Sequence, residues 1–147
     1  MSRGFFAIGI DHGKTAANLG SLWRTADLFG AAFLFTVGHR YRQQSSDTMK
    51  SWRGTPLFHF ATMHDLVEHL PHSCPLVGVE LDGKAVSLAS FCHPTRAAYL
   101  LGAEDNGLSG DAMRACHTLV QLPGRHSMNV ACAGSIVIYD RWAKEAS

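Results

Sequence analysis

The sequence predicts an α/β fold in which helices cover both faces of a parallel sheet. Short continuous apolar runs, typical of strands buried on both faces, alternate along the chain with segments of helical periodicity. The predicted strands span residues 5–10, 31–37, 57–60, 75–81, 98–102 and 118–122. The predicted helices span residues 18–29, 64–70, 109–116 and 128–144. We expect one domain over residues 1–147, because that length is usual for a single core.

Capping residues set the expected helix boundaries. Asn18 has the side-chain oxygen of an N-cap and precedes an apolar stripe that Gly30 ends. Ser109 is a similar N-cap, with Asp111 in the first turn. The final helix carries no charge from residue 128 to residue 139 and is rich in small residues, whereas a surface helix shows a polar face. We therefore expect a second copy of the chain beside it, with burial inside one subunit as the alternative.

Composition is that of an ordinary folded chain, with 46% hydrophobic and 17% charged residues. No apolar run is long enough for a membrane span, and the first residues lack the features of a signal peptide, so we expect a cytoplasmic protein. The four cysteines form no C-x-x-C pair and the histidines are scattered. We therefore expect buried, reduced thiols and no metal site.

A nucleotide hydrolase is a weaker alternative, suggested by Gly13, Lys14 and Thr15 after the first strand. A P-loop requires a glycine five residues before Gly13, and Ile8 stands there. No G-x-G-x-x-G pattern occurs either, so a dinucleotide site has no fingerprint.

The net charge of +1 does not by itself indicate a nucleic-acid-binding protein. Basic residues are nevertheless concentrated in one loop-like stretch that also contains Tyr41 and Trp52. Cations there can contact phosphates and aromatic rings can stack on bases, although a solvated loop is the alternative. The basic residues are Arg40, Arg42, Lys50 and Arg53.

Three short clusters, at residues 18–24, 101–107 and 122–129, combine glycine with polar side chains. The second follows a predicted buried strand, at the edge where open α/β sheets bind ligands. The third joins a strand to the final helix, whose free amides can bind a ligand. Taken singly, each cluster has a structural alternative: a surface arginine, a glycine-rich turn or a helix cap.

In their order and spacing, the three clusters resemble the motifs of the SpoU/TrmH family of the SPOUT class of RNA methyltransferases. The resemblance covers nearly the whole chain. The matching residues are Asn18, Gly20 and Arg24, then Leu101, Gly102, Glu104, Gly107 and Leu108, then Leu122, Pro123, Ser127, Met128, Asn129 and Val130, followed by Ala131, Ala133 and Tyr139.

This resemblance implies a fold whose C-terminal segment passes through a loop in a deep trefoil knot. It also implies that the knot loops bind S-adenosylmethionine, largely through backbone groups, and release S-adenosylhomocysteine. The implied cofactor-binding residues are Val79, Gly102, Leu122, Ser127, Met128 and Asn129.

The implied reaction is methyl transfer to a ribose 2′-hydroxyl of RNA by a homodimer. Arg24 matches the family's catalytic arginine, whose permanent charge can hold a phosphate and stabilise the developing charge on the oxygen. Whether it also relays the proton stays open. Asn18 is implied to fix the start of the arginine helix, and Glu104 and Asn129 to orient that helix and the cofactor loop.

The RNA target is the least specified feature. The first strand begins near Phe5, so we expect the core and its partner subunit to bind RNA themselves, with Arg125 and the basic stretch. This arrangement resembles the minimal enzymes that modify the wobble ribose of tRNA. Ribosomal RNA is an alternative substrate, and a non-catalytic RNA-binding module with a vestigial pocket is an alternative function.

Overall fold

Seven parallel strands form one sheet in the computed structural model, which describes residues 4–13, 15–38, 54–103, 107–124 and 128–146. Across the sheet the strand order is β3-β2-β1-β6-β4-β7-β5, and every pairing is parallel. The predicted parallel α/β sheet is confirmed. In chain order the strands are β1 (Phe5–Asp11), β2 (Phe33–Val37), β3 (Leu57–Phe60), β4 (Leu76–Val79), β5 (Val86–Ser87), β6 (Arg96–Leu101) and β7 (Thr118–Gln121).

Helices cover both faces of the sheet. One core includes residues of α1 (Ala16–Leu28) and α4 (Val130–Ala146), and the other includes residues of α2 (Met63–His69) and α3 (Gly110–Ala115). Successive side chains of a strand point to opposite faces, so neighbouring residues of β1 enter different cores. Ile8 packs in the core of α1 and α4, and Ala7 packs in the core of α2 and α3.

The predicted elements match the observed ones within two residues at each end. Among the described residues, two observed elements were not predicted, namely β5 and a 3₁₀ turn at Leu88–Ser90. Both residues of β5 are exposed at the edge of the sheet, so neither an apolar run nor an alternating pattern marks the strand in the sequence.

The start of α1 corrects one prediction. The helix begins at Ala16, and Thr15 occupies the N-cap position with an extended backbone. Asn18, which we expected to be the cap, is the third residue of the helix. A polar residue before an apolar stripe looks like a cap in the sequence, but only its backbone conformation decides whether it is one.

The end of α1 agrees with the prediction that Gly30 stops the helix. Gly30 has a φ of +78°, a left-handed conformation that favours glycine. Its N–H donates to the carbonyl of Asp27, and the N–H of Ala31 donates to the carbonyl of Ala26. These two bonds form a Schellman motif, which satisfies the last carbonyls of the helix.

Small residues of α4 pack inside the subunit, which corrects the expectation that they form the dimer contact. A Cβ on Gly134 would lie 2.4 Å from Cδ1 of Leu22 and 2.8 Å from Cδ1 of Leu101. Ala131 and Ala133 are buried in the same core. The glycine and alanines therefore allow α4 to approach α1 and the sheet of its own chain.

The cysteines also depart partly from expectation. None of the four forms a disulfide, but only Cys74 is buried, while Cys92 and Cys132 are exposed. Cys132 lies on the outward face of α4, which an apolar sequence pattern does not distinguish from the inward one. No described helix is long and apolar enough to cross a membrane. Among the described residues, no group of three or more His, Cys, Asp and Glu side chains could hold a metal ion.

Candidate active site at the carboxyl edge of the sheet

The carboxyl ends of β4, β6 and β7 lie side by side. Val79 of β4 pairs with Leu101 of β6 on one side and with Val120 of β7 on the other. Gly102 and Leu122, which follow β6 and β7 closely, therefore lie at the same edge of the sheet as Val79. The structure thus brings together three of the residues that the sequence nominated for cofactor binding.

The surface at this edge is partly apolar. Val79, Gly102 and Leu122 are half-buried, and the side chain of Leu81, just after β4, is exposed. Met128, which precedes α4, is exposed as well. Half-exposed apolar side chains beside the backbone groups of strand ends are the usual lining of a site for a small organic cofactor.

Two glycines fix the loop that follows β6. Ala103 and Gly107 exchange backbone hydrogen bonds of 3.1 and 3.0 Å, and Gly107 is left-handed with a φ of +65°. A Cβ on Gly102 would come within 2.2 Å of the carbonyl carbon of Gly107. Any side chain at position 102 would therefore force the two arms of the loop apart.

Glu80 holds this loop against β4, a role that sequence reasoning missed. Its Oε2 accepts a hydrogen bond of 2.7 Å from the N–H of Leu108, and its Oε1 accepts one of 3.0 Å from the N–H of Leu81. A Cβ on Gly107 would lie 2.3 Å from Oε2. The sequence indicates this role only by placing an acidic residue directly after a buried strand.

Asn129 and Asn18 join the two helices near the site. Asn129 is the N-cap of α4, because its Oδ1 accepts a hydrogen bond of 3.1 Å from the N–H of Cys132. Its Nδ2 donates a bond of 2.9 Å to Oδ1 of Asn18. The sequence had placed both residues in the site but gave no indication that they contact each other.

Arg24 lies on α1, two helical turns beyond the start of the helix, and its side chain is exposed. Its position on an exposed part of α1 lets a large external substrate such as a nucleic acid approach the side chain. The remaining nominated residues lie outside the described part of the chain: Glu104, Ser127, Arg40, Arg42, Lys50, Arg53 and Arg125.

The chain belongs to the SpoU rRNA Methylase family, whose model matches residues 6–139. It is 27% identical to an uncharacterized tRNA/rRNA methyltransferase of Archaeoglobus fulgidus, over 95% of this chain and 65% of that protein. The family assignment agrees with the resemblance drawn from the three motifs. The family's fold implies the deep knot in the C-terminal segment.

Solved structures share the fold. The SpoU methyltransferase AviRb from Streptomyces viridochromogenes, in complex with the cofactor AdoMet, matches with a TM-score of 0.89 and 21% identity, over 100% of this chain and 60% of that one. A structure concerned with the 2-OH methylation of C/U34 on tRNA matches with a TM-score of 0.85 and 19% identity, over 99% of both chains. The chain thus spans 65% of the length of the Archaeoglobus fulgidus protein and 60% of the length of AviRb.

Proposed function

We propose that this protein transfers a methyl group from S-adenosylmethionine to a ribose 2′-hydroxyl of RNA, in the cytoplasm. The observation that carries the proposal is the placement of Val79, Gly102 and Leu122 at one sheet edge in a chain of the SpoU family. Ligands of open α/β sheets bind at this edge.

The residues present at the edge fit the cofactor. An adenosyl group needs apolar surfaces for its base and hydrogen-bonding groups for its polar atoms. Val79 and Leu122 offer the apolar surfaces, and the backbone at the strand ends offers the polar groups. Met128, which is exposed, is assigned to the site by its motif position. Ser127 is assigned to the same site by its motif position. When bound, S-adenosylmethionine supplies a methyl group on a positively charged sulfur.

Side chains of α1 are assigned to the RNA. Arg24 is exposed and stays charged at all relevant pH values, so it suits a phosphate beside the reacting hydroxyl. Its charge also stabilises the negative charge that grows on the oxygen during transfer. The bond between Asn129 and Asn18 links α1 to the start of α4. Glu104 is assigned, by its motif position, to orient α1 and the cofactor loop. Arg125 and the four basic residues from Arg40 to Arg53 are assigned to the RNA backbone.

A homodimer is part of the proposal. Apolar side chains recur along the outward face of α4, where Ile136, Tyr139 and Trp142 are exposed, and Leu28 is exposed at the end of α1. The rings of Trp142 and Phe29 are 6.2 Å apart between centroids, so the two helices share one apolar surface. Such surfaces mark interaction sites, and a two-fold dimer would bring each surface against its copy.

Transfer RNA is the favoured substrate, with the wobble ribose as the favoured position. The matched structure concerned with C/U34 methylation on tRNA has a chain of the same extent as this one, which supports the assignment. Ribosomal RNA is the second candidate, and the description of the family favours it.

Mass spectrometry of nucleosides from transfer RNA and ribosomal RNA of a gene-deletion strain separates the two candidates, because only the substrate RNA loses a 2′-O-methyl nucleoside.

Titration calorimetry with S-adenosylhomocysteine and with ATP tests the cofactor assignment. We expect S-adenosylhomocysteine to bind and ATP not to bind. Binding of ATP alone would support a nucleotide hydrolase and overturn the proposal. Binding of S-adenosylhomocysteine without transfer of labelled methyl groups to any cellular RNA would favour the non-catalytic RNA-binding module.

A further inference from the structure

A buried carboxylate lies at the carboxyl end of β1, outside the interactions already assigned. Asp11 is fully buried, and both of its oxygens are engaged. Oδ2 accepts a hydrogen bond of 2.9 Å from the N–H of Ser109, and Oδ1 lies 2.7 Å from Nδ1 of His12. Burial of a carboxylate is unfavourable without such partners, so this group needs the imidazole beside it.

The backbone of His12 is held in an unusual conformation. Its φ is 54°, and among the described residues only Ser73 shares a positive φ without being glycine. The N–H of His12 donates a bond of 2.9 Å to the carbonyl of Val37, which ties this turn to the end of β2. Strained backbone of this kind concentrates at functional sites, where the position of one side chain matters.

Gly38 makes room for the imidazole. A Cβ on Gly38 would lie 2.3 Å from Nε2 of His12, 2.6 Å from Cδ2 and 2.7 Å from Cε1. A point in the plane of the ring beyond Nε2 would be much farther from both carbons than from the nitrogen. These similar distances therefore place Gly38 against the face of the ring, and the in-plane lone pair of Nε2 points elsewhere.

The arrangement fixes one tautomer of His12. The carboxylate of Asp11 accepts a hydrogen bond from the N–H at Nδ1, so Nε2 carries the free lone pair of the neutral ring. Among the described residues no hydrogen bond engages Nε2, and 60% of the side-chain surface is exposed. A buried carboxylate that orients a histidine and stabilises its protonated form is the arrangement that makes histidine an effective base in acyl-transfer enzymes.

This pair lies at the same edge of the sheet as the proposed active site. Ile10 pairs with Leu101 across β1 and β6, so Asp11 and Gly102 are aligned on neighbouring strands at the same edge. We propose that His12, oriented by Asp11, accepts the proton of the ribose 2′-hydroxyl during methyl transfer. This inference rests on the proposed function, and it leaves Arg24 with the phosphate and the developing charge.

The hydroxyl proton moves to Nε2 of His12 as the ribose oxygen forms a bond to the methyl carbon. The bond between that carbon and the sulfur breaks, and the sulfur keeps the electron pair and becomes neutral. The imidazolium that results is stabilised by the carboxylate of Asp11 and later releases its proton to water.

The test is the pH dependence of methyl transfer by three variants. The assay uses tritiated S-adenosylmethionine and total RNA from a gene-deletion strain. His12→Asn is the main variant, because asparagine tolerates a positive φ but is not a base. We expect its kcat to fall by roughly a hundredfold or more, which is typical of a lost general base. The KM for RNA and the affinity for S-adenosylhomocysteine should change less than threefold.

A general base makes the wild-type rate rise with pH. This rise should be absent from His12→Asn. Cys116, a titratable group that interacts with Asp11, does not interfere, because burial and the charge of Asp11 raise the pKa of its thiol to about 12. Asp11→Asn can still accept from Ser109 but donates to Nδ1 and reverses the tautomer, so its kcat should fall too while the fold persists.

His64→Asn is the matched control, because His64 is an exposed histidine that contacts Glu68 at 3.0 Å on α2. It should behave as the wild type does.

A His12→Asn enzyme with the wild-type kcat and pH profile would overturn the inference, as would a loss confined to KM. If the wild-type enzyme transfers no methyl group to RNA, the proposed function itself fails. A variant that loses circular dichroism is replaced by His12→Gly with added imidazole, which should restore the rate.

Discussion

The side-chain amide of Asn129 donates a hydrogen bond of 2.9 Å to Oδ1 of Asn18, across 111 residues of sequence. The orientation of the Asn129 amide is fixed, because its oxygen caps α4 and only its nitrogen remains to donate. One side chain therefore both starts α4 and ties it to the first turn of α1. These two roles can be separated by substitution.

Asn129→Ser should weaken methyl transfer without weakening the fold. Serine caps a helix about as well as asparagine but is too short to reach Asn18. Loss of one hydrogen bond of this kind is worth about 0.5–1.5 kcal/mol, so we expect kcat/KM to fall by roughly two- to tenfold. The free energy of unfolding, measured in urea, should stay within about 0.5 kcal/mol of wild type, whereas Asn129→Ala should lose about 1 kcal/mol.

Asn18→Ala removes the acceptor of the same bond and is the control. It should lower kcat/KM as Asn129→Ser does, and the double variant should be no worse than either single one, since both remove one interaction. Additive losses would show that the two residues act on the reaction independently of their contact.

Arg24→Ala should abolish detectable methyl transfer while S-adenosylhomocysteine binds within a few-fold of the wild-type affinity. The side chain is assigned to the hydroxyl and phosphate and not to the cofactor. Arg24→Lys should fail largely as well, because a point charge does not reproduce the planar guanidinium fork. Calorimetry and a tritium-transfer assay provide the two measurements.

Arg114→Ala is the control for Arg24, because Arg114 is an exposed arginine that pairs with Asp111 on α3. This variant should retain full activity. Retained turnover by Arg24→Ala, or loss of cofactor binding in a folded protein, would contradict the assigned role.

Local patterns were enough to predict the sheet and the principal helices. Buried strands are continuous apolar runs, and Gly30 marks the end of α1 because its left-handed backbone favours glycine. Ser109 caps α3 as predicted, since its hydroxyl accepts from the N–H of Ala112. These features depend on residues close together in sequence.

Contacts between distant residues could not be predicted in this way. Gly134 looks like a helix–helix contact in the sequence, but only the tertiary structure shows that the neighbour is Leu22 of the same chain. Ser109, the N-cap of α3 and a partner of Asp11, lies 98 residues away from it. The family motifs nominated Asn18 and Asn129, yet nothing in the sequence indicates that their side chains form a hydrogen bond with each other.

A buried polar network anchors α4 near the start of β6. His93 lies between Tyr99 and Asp140, with its Nδ1 2.6 Å from the tyrosine oxygen and its Nε2 2.6 Å from Oδ2 of Asp140. Arg141 donates to the tyrosine oxygen, so the tyrosine proton points to Nδ1 and the neutral imidazole donates to Asp140. Burial lowers the pKa of His93, although the carboxylate opposes this, and burial raises the pKa of Tyr99 to about 12.

The free energy of unfolding should decrease as the pH falls below 6.5, the ordinary pKa of histidine. In that range the unfolded chain takes up a proton that folded His93 does not, so protonation favours unfolding, by at most about 1.4 kcal/mol per pH unit. The decrease ends once the pH passes the lower pKa of the folded state. Urea unfolding of wild type and His93→Gln at pH 7.5, 6.0 and 5.0 measures it.

The His93→Gln protein should be less stable than wild type at pH 7.5, and the difference should shrink at pH 5.0. His64→Gln removes an exposed histidine and should follow the wild-type pH dependence. Parallel curves for wild type and His93→Gln would contradict the role of His93.

The apolar outward face of α4 should hold the dimer together. Tyr139 is 56% exposed and packs its ring 5.7 Å from that of Trp142, so a charge at position 139 would be buried in the interface without a partner. We expect Tyr139→Glu to weaken dimerisation by about 2 kcal/mol or more, roughly thirtyfold in Kd, as measured by analytical ultracentrifugation. Gly134→Arg is not a usable test, because its side chain would enter the core of its own subunit and unfold it.

Phe58 gives the matched control for Tyr139. It is an aromatic residue that is 49% exposed, but it lies on the edge strand β3, three strands away from β6, which α4 contacts. Phe58→Glu should leave the dimer intact, and circular dichroism should show that both variants are folded. If Phe58→Glu gives monomers and Tyr139→Glu does not, the interface lies at the β3 edge. A wild-type protein that is monomeric at low micromolar concentration and still methylates RNA would remove the dimer from the proposed function.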